Sequence, residues 1–146
     1  MISDKAHIFY YPWYGPPSPQ WDGHWGQGGH NAMQGDIGAA FYPQLGVYDS
    51  LNPTIIAQHM NWIVRSGCGV VVTSWWGQNS RENQAVPAIL NAAQGAGLKV
   101  AFHIEPYAGR TPASTGADIG YLHDTYGSHP ALYTVSLPTG RSGNPC

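Results

Sequence analysis

A histidine and a glutamate stand two residues apart at the end of an alternating apolar segment. From Leu98 to Ile104 every second residue is apolar, a pattern typical of a β-strand whose successive side chains point to opposite faces. His103 and Glu105 therefore share one face at the carboxyl end of the predicted strand, where α/β enzymes hold their reactive groups. There the carboxylate can accept hydrogen bonds from a ligand's hydroxyl groups beside the imidazole. The alternative is a buried polar pair that only satisfies neighbouring strands.

Aromatic residues follow the other two predicted strands at the same end. The first strand, residues 7–11, is stopped by Pro12, and the second, residues 69–76, is stopped by Gly77. The strand-end residues that we predict to contact a ligand are Tyr11, Trp13, Tyr14, Trp75, Trp76, His103, Glu105, Tyr107 and Arg110. Because the carboxyl ends of parallel strands lie at one rim, these residues predict a single cleft.

Some of these assignments leave alternatives open. Trp75 and Trp76 point to opposite faces of their strand, so at most one of them lines the cleft while the other packs beneath a helix. Arg110 can clamp an anionic group, pair with Glu105 or lie exposed at the surface.

Three predicted helices alternate with the strands. Asn52 can cap the first helix, Pro53 suits its first turn and Gly67 ends it. Weaker periodicity predicts a second helix around residues 86–93 and a third over about 117–126. The apolar stripe of the third helix consists of Ile119, Leu122, His123 and Tyr126. This alternation predicts an α/β fold with parallel strands and right-handed crossovers.

The composition favours an uncharged ligand. Only 10% of residues are charged, whereas 12% are aromatic, with six Trp and nine Tyr. Rings with polar edges suit a sugar, although the same rings can equally fill an aromatic core. A formal net charge of −2 gives no reason to expect a nucleic acid or a membrane surface as partner. No apolar run approaches the ~20 residues of a membrane span, and no signal peptide is visible, so the compartment stays unassigned.

Motifs for cofactors and metals are absent from the sequence. We find no Walker loop, no Rossmann glycine pattern and no Gly-x-Ser-x-Gly elbow, so no cofactor is expected. The chain has seven histidines, but neither HExxH nor a cysteine cluster occurs, and we expect no metal site. The alternative, a metal-dependent hydrolase that uses His103, predicts loss of activity with a chelator.

Several motifs occur in a fixed order along the chain. They are Phe9-Tyr10-Tyr11-Pro12-Trp13-Tyr14-Gly15, Trp21-Asp22-Gly23-His24-Trp25, Phe41-Tyr42-Pro43-Gln44-Leu45-Gly46, Ser74-Trp75-Trp76-Gly77, residues 97–107 and residues 126–131. Together they resemble glycoside hydrolase family 99, the endo-α-1,2-mannosidases and endo-α-1,2-mannanases. The resemblance runs from about His7 to Tyr133.

This resemblance implies a (β/α)₈ barrel that cleaves internal α-1,2-mannosidic linkages with retention. The expected partner is an α-mannoside oligosaccharide or an N-glycan. The family mechanism uses the substrate's own 2-hydroxyl group, with a later Glu-x-x-Glu pair as base and acid, and this chain has no such pair.

The length of the chain limits what it can do by this resemblance. A full barrel needs ~250 residues, so we expect residues 1–133 to form an incomplete TIM barrel of about three βα units. Residues 134–146 are expected to be a divergent or truncated tail. The isolated chain is then expected to supply sugar-subsite walls without hydrolytic activity. The alternative is a non-catalytic carbohydrate-binding or structural remnant of such a barrel.

Overall fold

The structure, a computed structural model, describes residues 2–135 and contains three strands that alternate with three α-helices. The elements are β1 (Ser3–Tyr10), α1 (Pro53–Ser66), β2 (Cys68–Trp75), α2 (Arg81–Ala96), β3 (Lys99–Ile104) and α3 (Pro112–Tyr126). The strands form one sheet in the order β1-β2-β3, and both neighbouring pairs are parallel. The predicted α/β alternation with a parallel sheet is therefore confirmed.

The helix α1 begins and ends where its capping residues predict. The Asn52 side chain accepts a hydrogen bond from the Thr54 amide, and Pro53 lies in the first turn. Gly67 follows the helix in the left-handed region at φ 88°, a conformation that a residue with a Cβ adopts only at a cost.

The helices α2 and α3 begin earlier than predicted because their first turns are polar. Ser80 caps α2, its side chain accepting from the Asn83 amide, so the helix begins at Arg81. Thr111 and Ser114 form a reciprocal capping box that starts α3 at Pro112. Polar first turns carry no apolar periodicity, which is why the sequence pattern missed them.

The strand β1 also extends further back than predicted, since it begins at Ser3 instead of His7. Ser3 pairs with Cys68, and the register shifts before His7 pairs with Val70. The start of this strand is exposed and polar and shows no alternation, so no pattern predicts it.

All three helices pack on one face of the sheet. The core joins Met60 of α1, Val71 of β2, Ile89 of α2, Val100 of β3 and Leu122 of α3. The opposite face carries the alternate side chains of each strand, and no α-helix of residues 2–135 packs against it. Phe9 on that face is 55% exposed.

The face that α3 presents to the core differs from the predicted stripe. Leu122 and Tyr126 are buried as predicted, but Ile119 is 56% exposed and His123 is exposed, whereas Asp118 is buried. The carboxylate of Asp118 accepts hydrogen bonds from Tyr107 and Gln78. These polar bonds turn the helix so that Asp118 replaces Ile119 on the inner side.

The long connection between β1 and α1 has an apolar cluster of its own. Trp25, Ala32 and Ile37 are buried there, and Tyr14 and Tyr48 pack against them. The Trp25 indole donates to the Tyr48 carbonyl at 2.9 Å. The connection is therefore a packed unit beside the end of β1.

Two further expectations concern the ends of the chain and the membrane. Of the expected tail, residues 136–146 lie outside the part that the structure describes. Among residues 2–135, no helix has both the length and the apolar character that a membrane crossing requires.

We predict that the core of α2 dominates the stability of this chain. Ile89→Ala should lower the free energy of unfolding by about 2–5 kcal/mol, because the fully buried side chain leaves a cavity. Ile119→Ala, the same change at an exposed helix position, should alter it by less than about 0.5 kcal/mol. Urea unfolding followed by circular dichroism measures both. Equal losses in the two variants would contradict this packing.

Candidate functional site

The carboxylate of Glu105 lies at the carboxyl end of β3 and is held by groups on the same face. Its Oε1 accepts a hydrogen bond from the Ser74 hydroxyl at 2.7 Å, and His103 Nδ1 lies 3.3 Å from the same oxygen. The Glu105 side chain is 9% exposed, whereas that of His103 is 45% exposed. The predicted shared face of His103 and Glu105 is confirmed by this contact.

Ser74 links the carboxylate to the end of the first strand. Ser74 pairs with His103 in the parallel register of β2 and β3. The indole Nε1 of Trp13 donates to the Ser74 oxygen at 2.9 Å. The sequence prediction missed Ser74, although alternation places it on the same face of β2 as Trp76.

Aromatic rings border this polar centre. Trp13 contacts Tyr11 and His24, with ring centroids 4.6 Å apart in both pairs, and meets Trp76 edge to face at 6.3 Å. Tyr11 is 42% and Trp76 37% exposed, so both rings offer surface to a ligand. The ends of β1 and β2 thus contribute one continuous group of rings, which Ser74 links to Glu105 through the Trp13 indole.

Two residues of the predicted set lie within packed clusters. Trp75 is fully buried on the helix side of β2, where its indole donates to Asn83 Oδ1 at 2.9 Å. We therefore correct the prediction that Trp75 contacts a ligand. Alternation along β2 turns its side chain to the helix side, where it packs under α2. Tyr14 packs on Trp25 at 4.1 Å between ring centroids, within the cluster of the long connection.

Tyr107 and Arg110 hold the segment that follows β3. The Tyr107 hydroxyl donates to Asp118. Tyr107 and Asp118 both line a polar cavity of about 540 Å³ beside Trp76. Arg110 Nη1 donates to the carbonyl oxygens of Ile104 at 2.9 Å and Glu105 at 3.1 Å. Among the alternatives for Arg110, the structure shows an exposed guanidinium that binds the backbone and not the Glu105 carboxylate.

A second cavity, of about 570 Å³, lies between β1, α1 and the long connection, and none of the predicted site residues lines it. Tyr10 and His59 share a hydrogen bond there at 3.0 Å. Burial lowers the pKa of His59 and raises the pKa of Tyr48 to about 12. His59 therefore stays neutral at a pH where a solvated histidine begins to gain its proton.

The described side chains were also searched for a metal site. Within residues 2–135, no group of three or more His, Cys, Asp or Glu side chains converges. The strand-end site instead combines one held carboxylate, one imidazole and several exposed rings, a combination suited to hydroxyl groups and apolar C–H faces.

Comparison with known proteins identifies the family. The model for glycosyl hydrolase family 99 matches residues 1–138. The chain belongs to glycosyl hydrolase family 99. It is 40% identical to a glycoprotein endo-alpha-1,2-mannosidase of Xenopus laevis and 39% identical to that of Mus musculus. Each of these matches covers 93% of this chain. The resemblance predicted from the motifs is confirmed.

A solved family 99 structure shares the fold. The endo-alpha-mannosidase from Bacteroides thetaiotaomicron superposes with a TM-score of 0.84 and 38% identity over 92% of this chain. The match covers 43% of that structure, and 35% and 34% of the Xenopus and mouse proteins. The chain therefore spans less than half the length of these family members.

We predict that His59 makes the stability of the fold sensitive to acid. The pKa of the unfolded histidine is 6.5 and that of the folded one is lower, so below pH 6.5 the unfolded state binds more protons. The share of the free energy of unfolding that depends on neutral His59 is present above pH 6.5. It is lost as the pH falls, by at most ~1.4 kcal/mol per pH unit.

Urea unfolding of the chain and of its His59→Gln variant between pH 7.5 and about 5.5 measures this loss, since glutamine keeps a polar group without a titration in this range. The variant should lose less stability on acidification. His123→Gln, at a position whose side chain is 81% exposed, should keep the parent's pH dependence. Identical pH profiles for the parent and His59→Gln would contradict the prediction.

Proposed function

We propose that this chain forms sugar-subsite walls of a glycoside hydrolase that acts on internal α-1,2-mannosidic linkages with retention. Membership of family 99 and the names of its relatives support the reaction class and the α-mannoside or N-glycan substrate. The observation that carries the proposal is the held carboxylate of Glu105, which Ser74 links to the Trp13 indole. Trp13 in turn contacts the exposed rings of Tyr11 and Trp76.

These residues divide the task of holding a pyranose. The carboxylate of Glu105 accepts from sugar hydroxyl groups, and charge-assisted hydrogen bonds of this kind are roughly twice as strong as neutral ones. His103 presents a half-exposed imidazole next to it. Tyr11 and Trp76 offer ring surface to the C–H face of the sugar. Together they orient a neutral ligand through one carboxylate, one imidazole and two ring surfaces.

We further propose that the chain is the N-terminal portion, residues 1–133, of an eight-stranded (β/α)₈ barrel, followed by a divergent segment at 134–146. An isolated parallel bridge between Val100 of β3 and Leu132 supports this proposal. The Val100 amide donates to the Ala131 carbonyl at 2.7 Å, and the Tyr133 amide donates to the Val100 carbonyl at 2.8 Å. This parallel bridge has the place of a fourth strand.

The chemistry of bond cleavage needs groups beyond those of this chain. Hydrolysis with retention requires a base and an acid, which the family resemblance assigns to a Glu-x-x-Glu pair. The only glutamates of the 146-residue chain are Glu82 and Glu105. We therefore propose that the chain alone binds α-mannosides and does not cleave them.

A second candidate is a non-catalytic carbohydrate-binding protein, favoured by the same missing pair. Both candidates predict sugar binding, and the downstream gene sequence distinguishes them. A Glu-x-x-Glu segment at a later strand end in the downstream sequence favours the enzyme. Release of a reducing disaccharide from α-1,2-linked mannan by the purified chain would refute the proposed inactivity of the chain itself.

We predict that Trp76 contributes to mannoside binding and that Trp62 does not. The two residues are 37% and 38% exposed, but Trp62 lies on α1 beside the second cavity. Trp76→Ala should weaken the binding of α-1,2-linked mannobiose about tenfold or more, since a stacked indole is lost. Isothermal titration calorimetry of the chain measures the affinity.

Trp62→Ala is the matched control and should bind the disaccharide as the parent does. Maltose, which has a different linkage and sugar, should bind more weakly than α-1,2-mannobiose. Absence of mannobiose binding by the parent chain, or an equal loss in both tryptophan variants, would contradict the proposed site.

A further inference from the structure

The hydroxyl group of Ser74 is fully committed to two partners. An indole N–H can only donate, so the Ser74 oxygen must accept from Trp13 across their 2.9 Å contact. The single hydroxyl proton is then available for Glu105 Oε1 at 2.7 Å. Ser74 is 1% exposed, so water does not compete for either bond. The direction of both hydrogen bonds is therefore fixed by chemistry alone.

This arrangement leaves the two oxygens of Glu105 unequal. Oε1 receives the Ser74 proton and also lies 3.3 Å from His103 Nδ1. Within residues 2–135, Oε2 makes no hydrogen bond to another group. A carboxylate oxygen has room for further donors, so Oε2 is the acceptor that the fold leaves to a ligand.

We propose that Ser74 is a positioning residue that sets the Trp13 indole and the Glu105 carboxylate in one fixed relation, with Oε2 turned to a sugar hydroxyl. The proposal rests on the proposed sugar-binding function. It assigns to Ser74 a role in substrate recognition without contact to the substrate. The aromatic wall from β1 and the polar group from β3 are joined through this residue of β2.

The neighbouring threonine shows why this role belongs to Ser74. Thr73 is also fully buried on β2, but it points to the helix side. Its hydroxyl has no hydrogen-bond partner among the described residues. Thr73→Val thus removes a buried hydroxyl one position away without touching Trp13 or Glu105, and it serves as the matched control for Ser74→Ala.

The first experiment needs no ligand. The indole N–H signals of the ¹⁵N-labelled 146-residue chain are recorded by NMR, and Trp13→Phe identifies the Trp13 signal by its loss. Ser74→Ala should move the Trp13 proton signal upfield, because the hydrogen bond is lost, and Glu105→Gln should shift it through Ser74. Thr73→Val should leave it in place. An unmoved Trp13 signal in Ser74→Ala would overturn the coupling.

The second experiment measures binding of α-1,2-linked mannobiose in a double-mutant cycle. Ser74→Ala should weaken binding about tenfold, the value expected when hydrogen bonds to a charged group are lost. Trp13→Phe keeps a ring but removes the N–H donor, and it should weaken binding less in the Ser74→Ala background than in the parent. Strictly additive losses would overturn the positioning role.

The two experiments separate this inference from the proposed function. If the parent chain binds no α-mannoside, the proposed function fails, while the Trp13 signal still decides whether Ser74 couples the two groups. If Ser74→Ala does not fold, Glu105→Gln tests the same link from its other end, with the Trp13 signal still assigned by Trp13→Phe. A Trp13 signal that does not move in Glu105→Gln then refutes the link.

Discussion

The Glu105 carboxylate lies almost wholly out of solvent, and this burial constrains every group around it. A buried carboxylate is tolerated only where donors replace the water that it loses. The parallel register of β2 and β3 supplies them, because it sets Ser74 beside His103 on the face that Glu105 shares. Moving β2 by one residue would turn Ser74 to the helix side and bring core residues of β2 to this face. The site therefore depends on the same register that builds the core.

The two faces of the sheet have separate tasks. One face packs against all three helices and stabilises the fold through residues such as Val71 and Val100. The other carries the polar centre and the exposed rings at the strand ends. The connection after β1 contributes to the second task, since it packs around its own buried Trp25 and brings His24 onto the Trp13 ring. Stability and recognition thus draw on alternate residues of the same strands.

Much of this architecture is predictable from local patterns. Alternation alone places His103 and Glu105 on one face, and capping residues bound α1 correctly at both ends. Polar beginnings of elements escape such patterns, since they have no periodicity. Ser74 escapes for a different reason: a serine within an apolar strand has no meaning until the register shows its partners. The inward turn of Asp118 likewise depends on Tyr107, which no helical stripe encodes.

The most direct test is a crystal structure of the 146-residue chain with bound α-1,2-linked mannobiose. The account predicts a sugar hydroxyl within hydrogen-bond distance of Glu105 Oε2, a pyranose ring against Tyr11 or Trp76, and the Trp13–Ser74–Glu105 hydrogen bonds intact. A disaccharide bound at another surface, with the Glu105 carboxylate free of any contact to it, would contradict the account.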